Sequence, residues 1–319
     1  MDNSGGTMHG ELTVVGGTSH RGFVEAVARQ IGVKPVYTEV PRFKNDNMMV
    51  RVPDNVRGRD VFFVQTSCPP VSDHIMETLL TIDALKHSSA DRITLVVPYM
   101  PYVRSDKKDQ PRISIAARLM ANLYETAGAD RVLVMDLHAA QIHGFFDVPV
   151  DHLKAVGSIV RHLRQRPLND YVVVASDICE MKEAGPFANR LDLPLAVIDK
   201  RRTGNDDKST VSTIIGDIKG KHCLLVDDET ATAGTLCNAA AFLTDRGAAS
   251  VEAAVTHGVL EGDSLRRIEE SALTRLLVTD TVPVAEKARK CGKIEILSVA
   301  NVFADAIRRI HSGDSLGVL

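Results

Sequence analysis

The densest run of groups able to do chemistry is Leu224-Leu225-Val226-Asp227-Asp228-Glu229-Thr230-Ala231-Thr232-Ala233-Gly234-Thr235. Its apolar start predicts a buried strand ending in two carboxylates. Small and hydroxylated residues then open a helix whose apolar face is Leu236, Ala240 and Leu243. A loop of this kind can turn backbone N–H groups and the Thr232 and Thr235 hydroxyls toward a phosphate, and the helix N-terminus adds partial positive charge. Asp227 and Asp228 would then lie where ribose hydroxyls need acceptors. An acidic pair and a threonine cap also suit a merely solvated strand end; the full string of twelve residues is the more specific signal. Two polar insertions, 104–112 and 200–208, follow predicted strands. Ligands of open α/β sheets bind beyond the carboxyl ends of strands, so these basic segments are candidate phosphate contacts, against the plainer reading of solvated charge runs. His138 also follows a predicted strand, and a lone histidine there is more often structural.

The elements that must position these groups are short β-branched apolar runs at 61–64, 93–97, 132–135, 172–174, 195–198, 223–226, 251–255 and 276–279. Helical patterns lie between several of them: Ile75, Leu79, Ile82 and Leu85 share one face, as do Ile115, Leu119 and Leu123. Gly128 and Gly247 stand where helix C-caps belong. Strand and helix alternating twice over predicts an α/β protein with two doubly wound, mostly parallel sheets. With 319 residues the chain suits two domains. We place them at 1–152 and 153–319, with the last helix able to pack back on the N-terminal domain.

Composition excludes several classes. The hydrophobic fraction is 44% and the charged fraction 25%, an ordinary globular balance. A net charge of −3, from 38 basic and 41 acidic residues, supplies no global field for nucleic acid or an anionic membrane, so anion binding must be local. The five cysteines form no CxxC pair and read as reduced core or loop thiols. The first ten residues are polar and no stretch of 18 apolar residues occurs, so a cytoplasmic protein without a membrane span is expected.

The 224–235 string resembles the phosphoribosyl-diphosphate motif of type I phosphoribosyltransferases and ribose-phosphate pyrophosphokinases. Further segments favour the second family: Arg42-Phe43, Asp73-His74-Ile75-Met76-Glu77, Val97-Pro98-Tyr99, the run from Asp136-Leu137-His138 through Gly144-Phe145-Phe146-Asp147, and Ile198-Asp199-Lys200-Arg201-Arg202. They fall in the family's order from about Arg42 to beyond Val282. The resemblance implies two domains of type I phosphoribosyltransferase-like architecture and transfer of the diphosphoryl group of Mg-ATP to ribose 5-phosphate. It implies ATP contacts by Phe43, Arg104, Asp106, Lys107 and His138. Mg²⁺ ligation would fall to His138 and Asp177, and a catalytic role to Lys200 and Arg202 together with His138. The sugar phosphate would be bound by Asp227, Asp228, Thr232, Ala233, Gly234 and Thr235. It also implies a homo-oligomer, commonly a hexamer, in which Phe43 stacks on the adenine of a neighbouring copy. A buried core phenylalanine is the competing reading of Phe43.

Four departures from the family pattern stand out. Lys44-Asn45-Asp46-Asn47 replaces a short acidic run, and Lys107 replaces an arginine whose bidentate contact lysine cannot reproduce. Cys179-Glu180 replaces a Gly-Gly pair after Asp177 and Glu183 an arginine, which is expected to weaken an anion site there. Ala231 replaces the third aspartate of the phosphoribosyl motif. These departures leave two further readings: a divergent enzyme acting on another ribose-containing phosphate, and a non-catalytic subunit of a pyrophosphokinase complex. Joint retention of His138, Asp177, Lys200 and Arg202 speaks against the second.

Overall fold

A computed structural model describes residues 9–178, 180–202 and 210–317. The chain forms two compact units. The first is built from the chain up to Lys154, from Thr281–Pro283 and from Val299 onward; the second is Ala155–Asp280 with Val284–Ser298. The chain therefore passes between units four times.

The first unit holds a six-stranded sheet of order β2-β1-β3-β4-β5-β6, every pair parallel. Its strands are β1 (Leu12–Gly16), β2 (Val36–Tyr37), β3 (Asp60–Val64), β4 (Arg92–Val97), β5 (Arg131–Met135) and β6 (Val150–Leu153). Helices α1 (Arg21–Ile31), α2 (Val71–His87) and α3 (Ala116–Ala127) supply the crossovers. Strand β3 is buried at every position, as a parallel strand covered on both faces must be. The α2 stripe legible in the sequence faces this core, with Ile82 and Leu85 fully buried and Ile75 and Leu79 at its margin. The α3 stripe does not, because Leu119 is exposed, Leu123 packs only at the margin, and Met120, Ala121 and Tyr124 fill the core instead. Gly128 ends α3 at φ 120°, a conformation that favours a residue without Cβ.

The second unit holds a seven-stranded sheet of order β13-β12-β11-β10-β7-β8-β9. Its strands are β7 (Tyr171–Ala175), β8 (Leu195–Arg202), β9 (Thr210–Ile215), β10 (His222–Thr230), β11 (Ser250–Gly258), β12 (Leu273–Thr279) and β13 (Ile294–Leu297). Among the described residues only the β8–β9 edge pair of this sheet is antiparallel. Helices α4 (Val156–Leu163), α5 (Met181–Leu191), α6 (Gly234–Asp245), α7 (Ser264–Glu270) and α8 (Glu286–Arg289) belong to this unit, whereas α9 (Ala300–Ser312) lies in the first. The doubly wound α/β architecture expected from the alternation is what the chain adopts.

Each sheet has one point at which strand order reverses, and such points define ligand crevices. In the first sheet it lies between β1 and β3, in the second between β7 and β10. The first is filled by the unit's own groups. Gln65 Oε1 accepts from the Ser19 N–H at 3.1 Å and the Ser19 hydroxyl at 2.6 Å, and Glu77 Oε1 accepts from the Thr18 N–H at 2.9 Å. Gln65 and Glu77 are almost wholly buried there.

Two expectations need correction. Strand β10 does not end at the carboxylate pair but continues to Thr230, because β11 goes on pairing with it as far as Thr230↔Gly258. Lys200, Arg201 and Arg202 are not the start of a loop but the end of β8, paired with Ser212, Val211 and Thr210 of β9. The rest of that expected insertion, 203–209, lies outside the described residues.

Candidate active site

In the second unit the switch point sets Asp177, just past β7, beside Asp227 and Asp228 on the adjacent β10. Asp177 Oδ1 accepts the Glu180 N–H at 3.1 Å, which fixes the turn leading into α5. Asp227 Oδ1 accepts the N–H of Asp228 at 2.9 Å, and Asp228 itself is buried. Glu180 completes this group: its carboxylate and those of Asp227 and Asp228 each offer an oxygen, all within 4.8 Å of one another. Glu180, read from the sequence as weakening an anion site, thus joins a group of carboxylates whose spacing could hold a cation. Its proximity to Asp227 could not be read from a separation of 47 positions; strand order alone joins them.

The loop after β10 is held in an unusual way. The Thr230 carbonyl accepts from the Val259 N–H at 3.0 Å, the Ala231 carbonyl from the Glu261 N–H at 2.9 Å, and the Thr232 carbonyl from Arg267 Nη1 at 3.2 Å. In a trans peptide the C=O and N–H point opposite ways. Three successive carbonyls tied toward 259–267 therefore turn the N–H groups of Ala231, Thr232 and Ala233 the other way. Ala233 then caps α6 in a left-handed conformation, φ 58° and ψ 6°. Gly234 opens the helix, and the Thr232 and Thr235 side chains are exposed. Amides, two hydroxyls and a helix N-terminus around one turn make an anion cradle.

In the first unit, the site residues follow β4 and β5, neighbours in the sheet. Chain direction after β5 is set by Asp136, at φ 39°, which lies 3.4 Å from Lys154 Nζ. The Leu137 N–H donates to His152 Nε2 at 2.9 Å, and His138 emerges exposed. Arg104 and Lys107 are exposed, while Asp106 Oδ2 accepts from Gln141 Nε2 at 3.2 Å, so the loop after β4 is fastened to the turn after His138. Phe43 is 56% exposed, which excludes the core reading. It sits on a tight excursion closed by its N–H to the Asn47 carbonyl, 2.8 Å, and braced by Arg42 reaching Asp46 at 3.0 Å and also Asp73.

His138 and Asp177, expected to share a metal, thus belong to different units. The backbone of Lys200 and Arg202 runs along the β8–β9 ribbon, and their side chains lie outside the described part of the structure.

A turn lined with backbone N–H groups at a sheet switch point, next to a cluster of carboxylates, places the chain among the doubly wound α/β proteins. Comparison with known proteins gives the family. Residues 12–128 match the N-terminal domain of ribose phosphate pyrophosphokinase, and residues 203–319 match the phosphoribosyl synthetase-associated domain. The chain is 43% identical over 97% of both chains to ribose-phosphate pyrophosphokinase 2 of Schizosaccharomyces pombe, and 46% identical over 95% of both to the ribose-phosphate pyrophosphokinase of Clostridium acetobutylicum. Its structure matches phosphoribosylpyrophosphate synthetase from Mycobacterium smegmatis with a TM-score of 0.90 and 37% identity, covering 95% of this chain and 99% of that one. The chain belongs to the ribose-phosphate pyrophosphokinase family.

Proposed function

We propose that the chain transfers the diphosphoryl group of Mg-ATP to O1 of ribose 5-phosphate, giving phosphoribosyl diphosphate and AMP. The observation that carries this reading is the cradle at 230–235 with its adjoining carboxylates, in a chain alike over nearly its whole length to proteins bearing the pyrophosphokinase name. In the reaction the sugar O1 attacks the β-phosphorus and the bond from that phosphorus to the AMP oxygen breaks. Such a transfer asks the protein for positioning and charge stabilisation rather than covalent chemistry.

Thr232, Ala233, Gly234 and Thr235 hold the 5-phosphate in this reading, while Asp227 and Asp228 accept from the ribose hydroxyls. Phe43, Arg104, Asp106, Lys107 and His138 hold ATP, with Phe43 donated to a neighbouring copy of a homo-oligomer. Its exposure supports that role. Lys200 and Arg202 meet the negative charge that develops during transfer. Carboxylate oxygens of Glu180, Asp227 and Asp228, all within 4.8 Å of one another, are hard donors that fit Mg²⁺, and His138 and Asp177 are the ligands that the family resemblance implies. When bound, the ion neutralises phosphate oxygens and draws electron density from the β-phosphorus. Among the described residues no helix is long and apolar enough to cross a membrane, which is compatible with a cytoplasmic enzyme.

The test is AMP release from ATP by purified protein, followed by chromatography with and without ribose 5-phosphate and Mg²⁺. Release should need both, and His138→Ala should lower turnover by about 100-fold or more while the fold is retained. AMP formation indifferent to the sugar would overturn the reading.

A further inference from the structure

The three carbonyls that aim the cradle are not held alike. Those of Thr230 and Ala231 accept from backbone N–H groups of the 259–261 segment, which any residue but proline at those positions would leave in place. That of Thr232 accepts from a side chain, Arg267 Nη1, at 3.2 Å. The Thr232–Ala233 peptide is the one whose N–H immediately precedes α6, and its C-terminal residue is a non-glycine in the left-handed region. A peptide at such a position can turn over unless something holds its oxygen. Arg267 is well placed to do so, because its own position is fixed. Ile268 beside it is completely buried in the core, the Arg267 N–H donates to the Asp263 carbonyl at 3.0 Å, and the Arg267 carbonyl accepts from the Cys237 thiol of α6 at 3.6 Å.

We infer that Arg267 is a positioning residue for the reaction: its guanidinium locks the Thr232–Ala233 peptide so that the Ala233 N–H faces the sugar phosphate. This rests on the reading of 230–235 as the sugar-phosphate cradle. Arg267 acts through the loop backbone, and it carries no part in holding ATP.

The test uses the full chain with Arg267→Met, Arg267→Lys and, as a probe of the cradle itself, Thr235→Val. Arg267→Met should raise KM for ribose 5-phosphate about tenfold, the equivalent of one hydrogen bond, and leave KM for ATP unchanged. Arg267→Lys, which keeps a donor, should recover part of the loss. Amide hydrogen exchange of the 230–236 segment, measured without any ligand, should quicken in Arg267→Met. A direct contact between Arg267 and the phosphate would not change exchange in the free protein, so a raised KM with unaltered exchange overturns the positioning role. If KM is unchanged in Arg267→Met but raised in Thr235→Val, the cradle stands and the role of Arg267 falls. If neither substitution moves KM for the sugar, the cradle is misread and the inference falls with it.

Discussion

At the scale of single residues, burial decides what a group can do more than its type does. Phe43 is apolar yet exposed, whereas the potentially reactive thiol of Cys223 is silenced by full burial in β10. Removal from water disfavours the thiolate and pushes this thiol from 9.0 up to about 11. The sign of the resulting pH dependence is definite. Below pH 9.0 the thiol is neutral in folded and unfolded chains alike, and its contribution to stability is complete. As pH rises from there toward about 11 the unfolded chain ionises first and stability falls, by up to about 3 kcal/mol from this one group. Urea denaturation between pH 8 and 11 should show that decline, and Cys223→Ala should flatten it. An identical pH profile in the variant would assign the loss to other groups.

At the scale of elements, two sheets of one architecture treat their switch points differently. The second sheet leaves carboxylates and an amide-lined turn at the crevice between β7 and β10. The first sheet plugs the crevice between β1 and β3 with Gln65 and Glu77, whose oxygens take up the Thr18 and Ser19 donors at the start of α1. Gly17 makes that closure possible. A Cβ on Gly17 would lie 2.3 Å from Gln65 Oε1 and 2.6 Å from Gln65 Cδ. Gln65 cannot retreat without abandoning Ser19, so Gly17→Ala should cost about 1–3 kcal/mol in denaturant unfolding. Gln65→Ala removes the clashing group, and the double variant should therefore lose less than the sum of the two single changes. Strict additivity would show that the two positions do not interact.

At the scale of the whole molecule, the last helix matters because it returns to a unit that began about 290 positions earlier. Phe303 of α9 meets Phe23 of α1 edge-on at 5.3 Å between ring centres. Beneath them Asp60, wholly buried at the start of β3, binds Arg92 through both oxygens at 2.8 and 2.6 Å and lies 2.7 Å from His311 Nδ1. Arg92 also donates to the Ile310 carbonyl at 3.1 Å. One carboxylate thus ties β3, β4 and α9 together. Removing one partner of a buried pair strands the other, so Asp60→Ala should destabilise by about 3–5 kcal/mol. Limited proteolysis should then release the segment after Val299 sooner than in the parent protein. Unchanged stability would mean that α9 is held by its apolar face alone.

What the sequence by itself determined is local or repetitive. Runs of β-branched residues marked eight largely buried strands, since a covered strand leaves little room for polar alternation. The 224–235 string announced a strand, a turn and a helix because the three are contiguous there. Strands β2, β6, β9 and β13 went unread because β2 has two residues, β6 and β13 have four each and are mostly half-buried, and β9 pairs at an edge; β1 went unread although it is buried from Thr13 to Gly16. Short or half-covered strands carry little periodicity. Tertiary structure alone decided that Glu180 joins Asp227 and Asp228, that Arg267 reaches the Thr232 carbonyl, and that Asp60 gathers Arg92 and His311. Each of these is a juxtaposition set by strand order across a sheet or by a helix returning to a distant strand. The hydrophobic pattern of a chain tells which face of an element is covered but not by which partner, and the groups that meet at a site depend on the partner.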